Sequence, residues 1–248
     1  MSVATAVSDQ IQRVGGSFMF SREAKDFAAT TGVDGFLGGY VRGRGGVLGD
    51  VDADVVSSAF GFLPLNTIRA GWDTTAAIPA AKAAEGYLGA CQDFGRRKLA
   101  AFEAAPRLAE LLEAVVQEAD SAGSALFAGW RAMPLAADAP ARVLHLAHTL
   151  RELRGGLHLM AIRASGLTPL QAVVIKGSPF NDGPAQAAWF GWDTPFPEIT
   201  PELRERWERA EALTDEMISP AFSVLGVAAS AEFVALVSDC HEAIFARR

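Results

Sequence analysis

Apolar residues recur at helical spacing along most of this chain, and the breaks between them fall at capping residues, glycine and proline. Ser21, Asp52, Asn66 and Thr168 stand where helix N-caps are expected, and several prolines stand at first-turn positions. The predicted helices start at Arg22, cover 52–60, 66–71 and 79–102, start again at Pro106, and then cover 139–154, 157–165, 168–177, 200–218 and 231–246.

Extended structure is predicted at only two places, the short runs around Trp72 and Trp192. The pair Gly155-Gly156 is predicted to close one helix before the next begins at Leu157. The fold class is therefore mainly α.

One four-residue motif occurs twice and indicates an internal duplication. Gly71-Trp72-Asp73-Thr74 returns as Gly191-Trp192-Asp193-Thr194, and each copy follows a capped short helix and precedes a long one. Arg44 and Arg163 stand at equivalent positions before these segments. We therefore predict two related halves, 1–125 and 126–248.

The order of elements in each half resembles the winged helix-turn-helix unit of MarR-type proteins. The resemblance implies two pseudo-symmetric winged-helix-like halves that form a single-chain pseudo-dimer, with a small ligand between them. The runs 43–49, 150–158 and 212–215 are similar to a largely uncharacterised actinobacterial family of helix-turn-helix-like proteins. That second resemblance implies a fold and hardly any chemistry.

Composition limits the classes of function. Half of the 248 residues are hydrophobic, and no apolar run reaches the length of a membrane span or resembles a signal peptide, so we expect a cytoplasmic protein without a membrane partner. Cys91 and Cys240 are too far apart in sequence for a Cys-x-x-Cys site. The net charge of −7 disfavours nucleic acid as a partner.

The predicted DNA-reading helices lack the cations that hold phosphates. The helix over 53–60 begins with Asp52 and Asp54, and the helix over 169–177 offers Lys176 but no arginine. Both Trp-Asp motifs place an acid where a wing tip normally carries arginine. The residues thus favour a helix-turn-helix fold that has lost its DNA chemistry.

The histidines are the first candidates for chemistry. His145 and His148 share a helix face with Glu152, an arrangement that suits a metal or a haem iron, although interface histidines are the alternative. His158 is the candidate catalytic residue, because neighbouring cations such as Arg154 favour its neutral form; a core histidine is the alternative.

The remaining candidates would bind a ligand. Arg44 and Arg154 are candidate anchors for it, although salt bridges inside each half are the alternative for Arg44. Aromatic side chains on glycine- and proline-rich segments would line an apolar pocket, although core packing is their default role. These aromatic candidates are Tyr40, Phe180, Trp189 and Trp192.

We therefore predict a small-molecule-binding protein, monomeric or homodimeric, with an apolar or aromatic ligand held between two halves. The cofactor is unknown. A biosynthetic tailoring activity is open, whereas the absence of nucleophile and phosphate-loop motifs disfavours a hydrolase or kinase. The alternatives are a ligand-responsive MarR-like transcriptional regulator that binds DNA, and a helical interaction protein without a site.

Overall fold

The computed structural model describes residues 2–32 and 35–246, and within these ranges every regular element is a helix. The mainly α prediction is confirmed. The α-helices are α1 (Val3–Gly16), α2 (Arg22–Ala29), α3 (Phe36–Gly45), α4 (Ala53–Phe60), α5 (Leu65–Asp73), α6 (Ala80–Lys98), α7 (Ala105–Glu118), α8 (Ala125–Arg131), α9 (Ala139–Ala164), α10 (Pro169–Lys176), α11 (Gly183–Phe190), α12 (Pro201–Ile218) and α13 (Gly226–Phe245). Short 3-10 turns cover Ser17–Phe20, Gly46–Leu48 and Ser219–Leu225.

Helix α9 is the centre of the molecule. It packs against five other helices, α1, α6, α7, α8 and α12. Fully buried side chains around it include Phe18, Tyr87, Phe127, Trp130 and Leu144. The largest core cluster therefore joins residues from both predicted halves, and the predicted boundary at 125/126 falls at the start of α8.

The predicted break at Gly155-Gly156 is wrong, because α9 continues through both glycines to Ala164. Gly156 packs against α8, and an ideal Cβ there would lie 2.7 Å from the Ser124 hydroxyl oxygen. Helix propensity disfavours glycine by about 1 kcal/mol per residue, but tertiary packing overrides that preference. Gly156 serves close packing, and neither glycine ends the helix, so His158 lies inside a long helix.

The two glycines give a matched test of this explanation. Gly155→Ala should raise the free energy of unfolding by about 0.5–1 kcal/mol, because nothing lies within 4 Å of its missing Cβ. Gly156→Ala should lower that free energy, because the buried Ser124 must shift. Urea unfolding of the two variants measures both changes, and equal effects would contradict the packing explanation.

The predicted strands at the Trp-Asp motifs are also wrong. Trp72 lies inside α5 and donates a hydrogen bond from Nε1 to the Val51 carbonyl (2.8 Å). Trp192 lies in the loop after α11, where Gly191 has a left-handed φ of 88°, and its Nε1 donates to the Phe62 carbonyl (3.0 Å). The described chain therefore has no wing of paired strands.

Helix packing nevertheless repeats along the chain. In the first half α3 packs on α6 and α4 on α5; in the second half α9 packs on α12 and α10 on α11. The equivalence fails in detail, because Arg44 is buried whereas Arg163 is exposed.

The C-terminal helices contain an apolar stretch that is mostly unburied. Within residues 201–245 one 18-residue window has a mean hydropathy of 1.8 and is 28% buried, which by length and composition alone is enough to cross a membrane. The 3-10 turn with Pro220 interrupts this segment, and the turn packs on α7. A core helix of a water-soluble protein passes the same test, so the feature is weak support for a membrane span.

Candidate functional site

Two pairs of short helices have the layout of helix-turn-helix motifs. Residues 61–64 join α4 to α5, and residues 177–182 join α10 to α11. Thr168 and Gln171 form a capping box at α10, and Asp182 caps α11. The helices over 53–60 and 169–177, which were predicted to read DNA, are the first helices of these two pairs, and α5 and α11 are the second. In a helix-turn-helix motif the second helix enters the major groove.

Helix α5 presents one exposed polar stripe. Asn66, Arg69, Ala70 and Asp73 are all exposed at spacings that place them on one helix face, while Ile68 and Trp72 anchor the opposite face in the core. The Arg69 guanidinium lies 2.9 Å from the Asp54 carboxylate on α4, and both side chains are about half exposed. Asparagine and arginine are the residue types that read adenine and guanine edges.

Helix α11 differs from α5 because no residue of it is charged. Its exposed positions are Pro184, Ala185, Ala188 and Trp189. This surface suits apolar contacts, and among these four exposed positions only the Trp189 indole offers a side-chain hydrogen-bond donor.

The two second helices touch each other. Thr67, in the first turn of α5, donates a hydrogen bond from Oγ1 to the carbonyl of Phe190, the last residue of α11 (2.9 Å). At 1.5 Å per residue these helices are about 14 and 12 Å long, so their centres lie within about 20 Å. A two-fold pair of reading helices needs about 34 Å to reach successive major grooves. In this arrangement α5 and α11 cannot occupy two half-sites.

A group of aromatic side chains lies beside this junction. We name Phe20, Phe36, Phe180 and Trp189 the aromatic surface. Ring centroids are 4.8 Å apart for Phe20–Phe36, 6.4 Å for Phe20–Phe180 and 5.7 Å for Phe36–Trp189. Phe180 is 84% exposed, and Phe20 and Trp189 are each about half exposed. Tyr40 stacks on Phe36 at 4.8 Å.

Three of the predicted ligand-binding residues, Tyr40, Phe180 and Trp189, are thus brought together. The fourth aromatic candidate, Trp192, lies apart from them, and its indole N–H donates a hydrogen bond to the Phe62 carbonyl. Phe20 and Phe36 also belong to this group, although they were not among the predicted ligand-binding residues. Their positions beside glycine-rich and capped segments carry no signal that they meet α11.

Arg44 is held in a buried ion pair. Its Nε and Nη2 donate to the two carboxylate oxygens of Glu152 at 2.9 and 2.7 Å, and its Nη1 donates to the Tyr40 hydroxyl. Burial alone would raise the pKa of Glu152, but the positive charges of Arg44 and Arg151 lower it to about 2. This geometry matches the alternative interpretation of Arg44 as part of a structural salt bridge. The alternative placed that bridge inside one half, whereas the observed pair joins the two predicted halves.

The His145 and His148 rings face backbone carbonyls. His145 Nε2 donates to the Trp130 carbonyl and His148 Nδ1 to the Gly15 carbonyl, both at 3.2 Å, since a carbonyl only accepts. Burial lowers the pKa of both, that of His148 to about 3. Among the described residues no group of three or more His, Cys, Asp and Glu side chains is placed to hold a metal ion.

His158 occupies a second polar cluster, between α9 and α12. Its Nδ1 lies 2.9 Å from the Thr214 hydroxyl, and Phe62 stacks over the ring at 5.9 Å. Burial lowers the pKa of His158 to about 4, so the ring is neutral at neutral pH. Arg154 donates to Glu211 beside it at 2.6 Å. Two predicted residues, His158 and Arg154, therefore share one site, which is separate from Arg44.

Cavities between the helices are small or open. A partly enclosed cavity of about 10 Å³ between α1, α9 and the segment 218–222 includes Arg154 and has room for about one water molecule. An open groove of about 450 Å³ lies between the end of α9 and α12, next to Arg209 and Glu216. Neither includes the aromatic surface.

Two helix pairs, α4–α5 and α10–α11, each joined by a short turn, have the layout of a helix-turn-helix class of architecture. A family model described as a helix-turn-helix family matches residues 4–248. The chain belongs to this helix-turn-helix family. No curated protein and no solved structure matches it.

Proposed function

We propose that this protein is a helix-turn-helix regulator that binds duplex DNA through α5 alone. The observation that carries the proposal is the exposed stripe of Asn66, Arg69 and Ala70 on the second helix of the first pair. These side chains suit base edges, and the family supports the same class of function. A single reading helix also agrees with the contact between α5 and α11, which excludes two half-sites.

The charge around α5 sets the strength of this binding. Asp52, Asp54 and Asp73 are exposed close to the stripe and repel phosphate. Arg69 is paired with Asp54, so it must exchange that carboxylate for DNA. We therefore propose weak binding that depends on a few base contacts and falls only gradually with salt, because few phosphates are neutralised.

Selection of fragments from sheared genomic DNA on the immobilised full-length protein, followed by titration of the enriched duplex, tests the proposal. Arg69→Ala and Asn66→Ala should each weaken binding of that duplex by about 1–3 kcal/mol, because each removes a base contact. Binding should also weaken between 50 and 200 mM salt, as counterion release requires.

Arg107→Ala is the control, because Arg107 is exposed but lies on α7, away from both helix pairs. It should leave the affinity unchanged. No enriched fragment, or equal losses in the Arg69 and Arg107 variants, would overturn the proposal.

We further infer that the chain arose by duplication of a MarR-like unit, with halves 1–125 and 126–248 related as a pseudo-dimer. The repeated packing of α3 on α6 and of α9 on α12 supports this inference. In this view the second motif kept its helices, while polar residues on α11 were replaced by apolar ones. One of these apolar residues is Trp189, which belongs to the aromatic surface. An actinobacterial origin and a cytoplasmic location remain part of the same proposal.

Ligand binding is a second candidate function, and the aromatic surface favours it. Exposed apolar patches of several hundred Å² mark interaction sites in monomeric proteins. The predicted ligand, a planar aromatic molecule, would stack on Trp189 and Phe180. Saturable quenching of tryptophan fluorescence that is lost in Trp189→Phe would support this role, and the same quenching in that variant would exclude it.

A further inference from the structure

The acid at the end of the polar stripe on α5 has no structural role that explains it. Asp73 is the last residue of α5, and its side chain is exposed. Its carboxylate makes no hydrogen bond or ion pair within the described chain, whereas Arg69, one turn earlier, is held by Asp54 at 2.9 Å. The C-terminal end of a helix carries partial negative charge and favours cations. The stability of α5 therefore does not account for an aspartate at this position.

Asp73 lies in line with Asn66 on the exposed face of α5. The two residues are seven positions apart, which is almost two turns of 3.6 residues, so their side chains leave the helix in nearly the same direction. Arg69 and Ala70 lie between them on the same face. The opposite face of α5 is anchored in the core. A surface that covers the length of this stripe therefore meets Asn66 at one end and Asp73 at the other.

A carboxylate is selective among the base edges of the major groove. It only accepts hydrogen bonds, whereas guanine and thymine present only acceptors in that groove. Adenine presents an amino donor beside the N7 acceptor, a pair of groups that suits the amide of asparagine. Cytosine presents the N4 amino donor without an acceptor of its own beside it. The base that fits Asp73 is therefore cytosine.

We propose that Asp73 is a specificity-determining residue that accepts a hydrogen bond from N4 of a cytosine in the bound duplex. This inference rests on the proposed function, because it requires α5 to lie in the major groove. Asn66 and Asp73 are about 10 Å apart along the helix axis, or about three base pairs where the helix follows the groove. The expected binding site has an A·T pair and a C·G pair at that separation.

Repulsion of phosphate and recognition of cytosine predict different results for Asp73→Ala. Repulsion acts on every duplex alike, so its removal would strengthen binding to all sequences equally. A base contact acts at one position, so its removal abolishes the preference there and leaves the other positions unchanged. Asp52 gives the matched control, because it is an exposed acid at the start of α4 and lies off the stripe.

Selection of sites from a library of random duplexes by the full-length protein measures this difference. The wild-type motif should contain the cytosine, and the Asp73→Ala motif should lose it but keep the adenine. The Asp52→Ala motif should equal that of the wild type. Replacing the C·G pair of the enriched duplex by U·A exchanges the N4 donor for an acceptor. This replacement should weaken wild-type binding roughly 5- to 100-fold and leave the affinity of Asp73→Ala unchanged.

The outcomes separate this inference from the proposed function. A motif shared by the wild type and Asp73→Ala, or equal wild-type affinity for the C·G and U·A duplexes, would overturn the role of Asp73 while DNA binding by α5 stands. The absence of any enriched motif would overturn both. The comparison of the two duplexes on the wild type needs no variant, so a loss of folding in Asp73→Ala does not remove the test.

Discussion

Glu152→Ala is expected to lower the free energy of unfolding by about 3–5 kcal/mol, because it leaves the Arg44 guanidinium buried without its charge partner. The pair is made by two hydrogen bonds, and the Glu152 side chain is only 1% exposed. It also links α3 to the central helix α9. Urea unfolding followed by circular dichroism measures the change.

An exposed pair of the same geometry is the control. Arg107 donates two hydrogen bonds to Glu232 across α7 and α13, but both side chains are about 40% exposed. Glu232→Ala should have a much smaller effect, since solvent screens that pair. The double variant Arg44→Met/Glu152→Leu should recover part of the lost stability, because no unpaired charge stays buried. Similar losses in Glu152→Ala and Glu232→Ala would contradict this account.

The same pair contributes to the dependence of stability on pH. The pKa of Glu152 is lowered to about 2, from an ordinary value of 4.5. Its stabilising contribution is therefore fully present above about pH 4.5 and is lost as the pH falls from there through 2. Glu23, whose pKa is lowered to about 2 mainly by Arg97, acts in the same window.

Local signals in the sequence predicted where many helices begin. Ser21, Thr168 and Thr200 each accept a hydrogen bond from a backbone N–H in the first turn, as capping residues do. Such signals depend only on neighbours in sequence. They can therefore be recognised without knowledge of the tertiary structure.

Signals that depend on packing were misread. Gly155-Gly156 has the form of a helix end, and only the contact with Ser124 explains why α9 continues. The short run around Trp72 was predicted to be extended, whereas the core holds Trp72 inside α5.

The candidate site was predictable only in part, because contacts between distant segments leave no signal in the local sequence. Aromatic residues on loop-like segments were expected to line one place, and Tyr40, Phe180 and Trp189 do lie in one aromatic group. Their partners Phe20 and Phe36 belong to distant segments, and no periodicity reports a contact between segments more than 140 positions apart. The polarity of the His158 cluster also depends on α12, which the sequence does not place beside α9.

Gly183→Ala is expected to cost about 3 kcal/mol or more, because a Cβ at that position would overlap the backbone carbonyl oxygen of Val174. Backbone cannot move aside by changing a rotamer, so α11 must separate from α10. Ala185→Gly, two residues further along the same helix and exposed, should cost only about 1 kcal/mol through helix propensity. Urea unfolding with tryptophan fluorescence distinguishes the two, and an equal cost would show that the close approach is not required.

The same variant, Gly183→Ala, should affect the functions of the two helix pairs differently. Gly183→Ala should disturb Trp189 and the aromatic surface, since both depend on the position of α11. Helix α5 is anchored independently by Ile68 and Trp72 in the core. DNA binding through α5 should therefore persist wherever the variant stays folded, whereas ligand stacking on Trp189 should be lost. Loss of both together would mean that the contact between Thr67 and Phe190 makes the two motifs one functional unit.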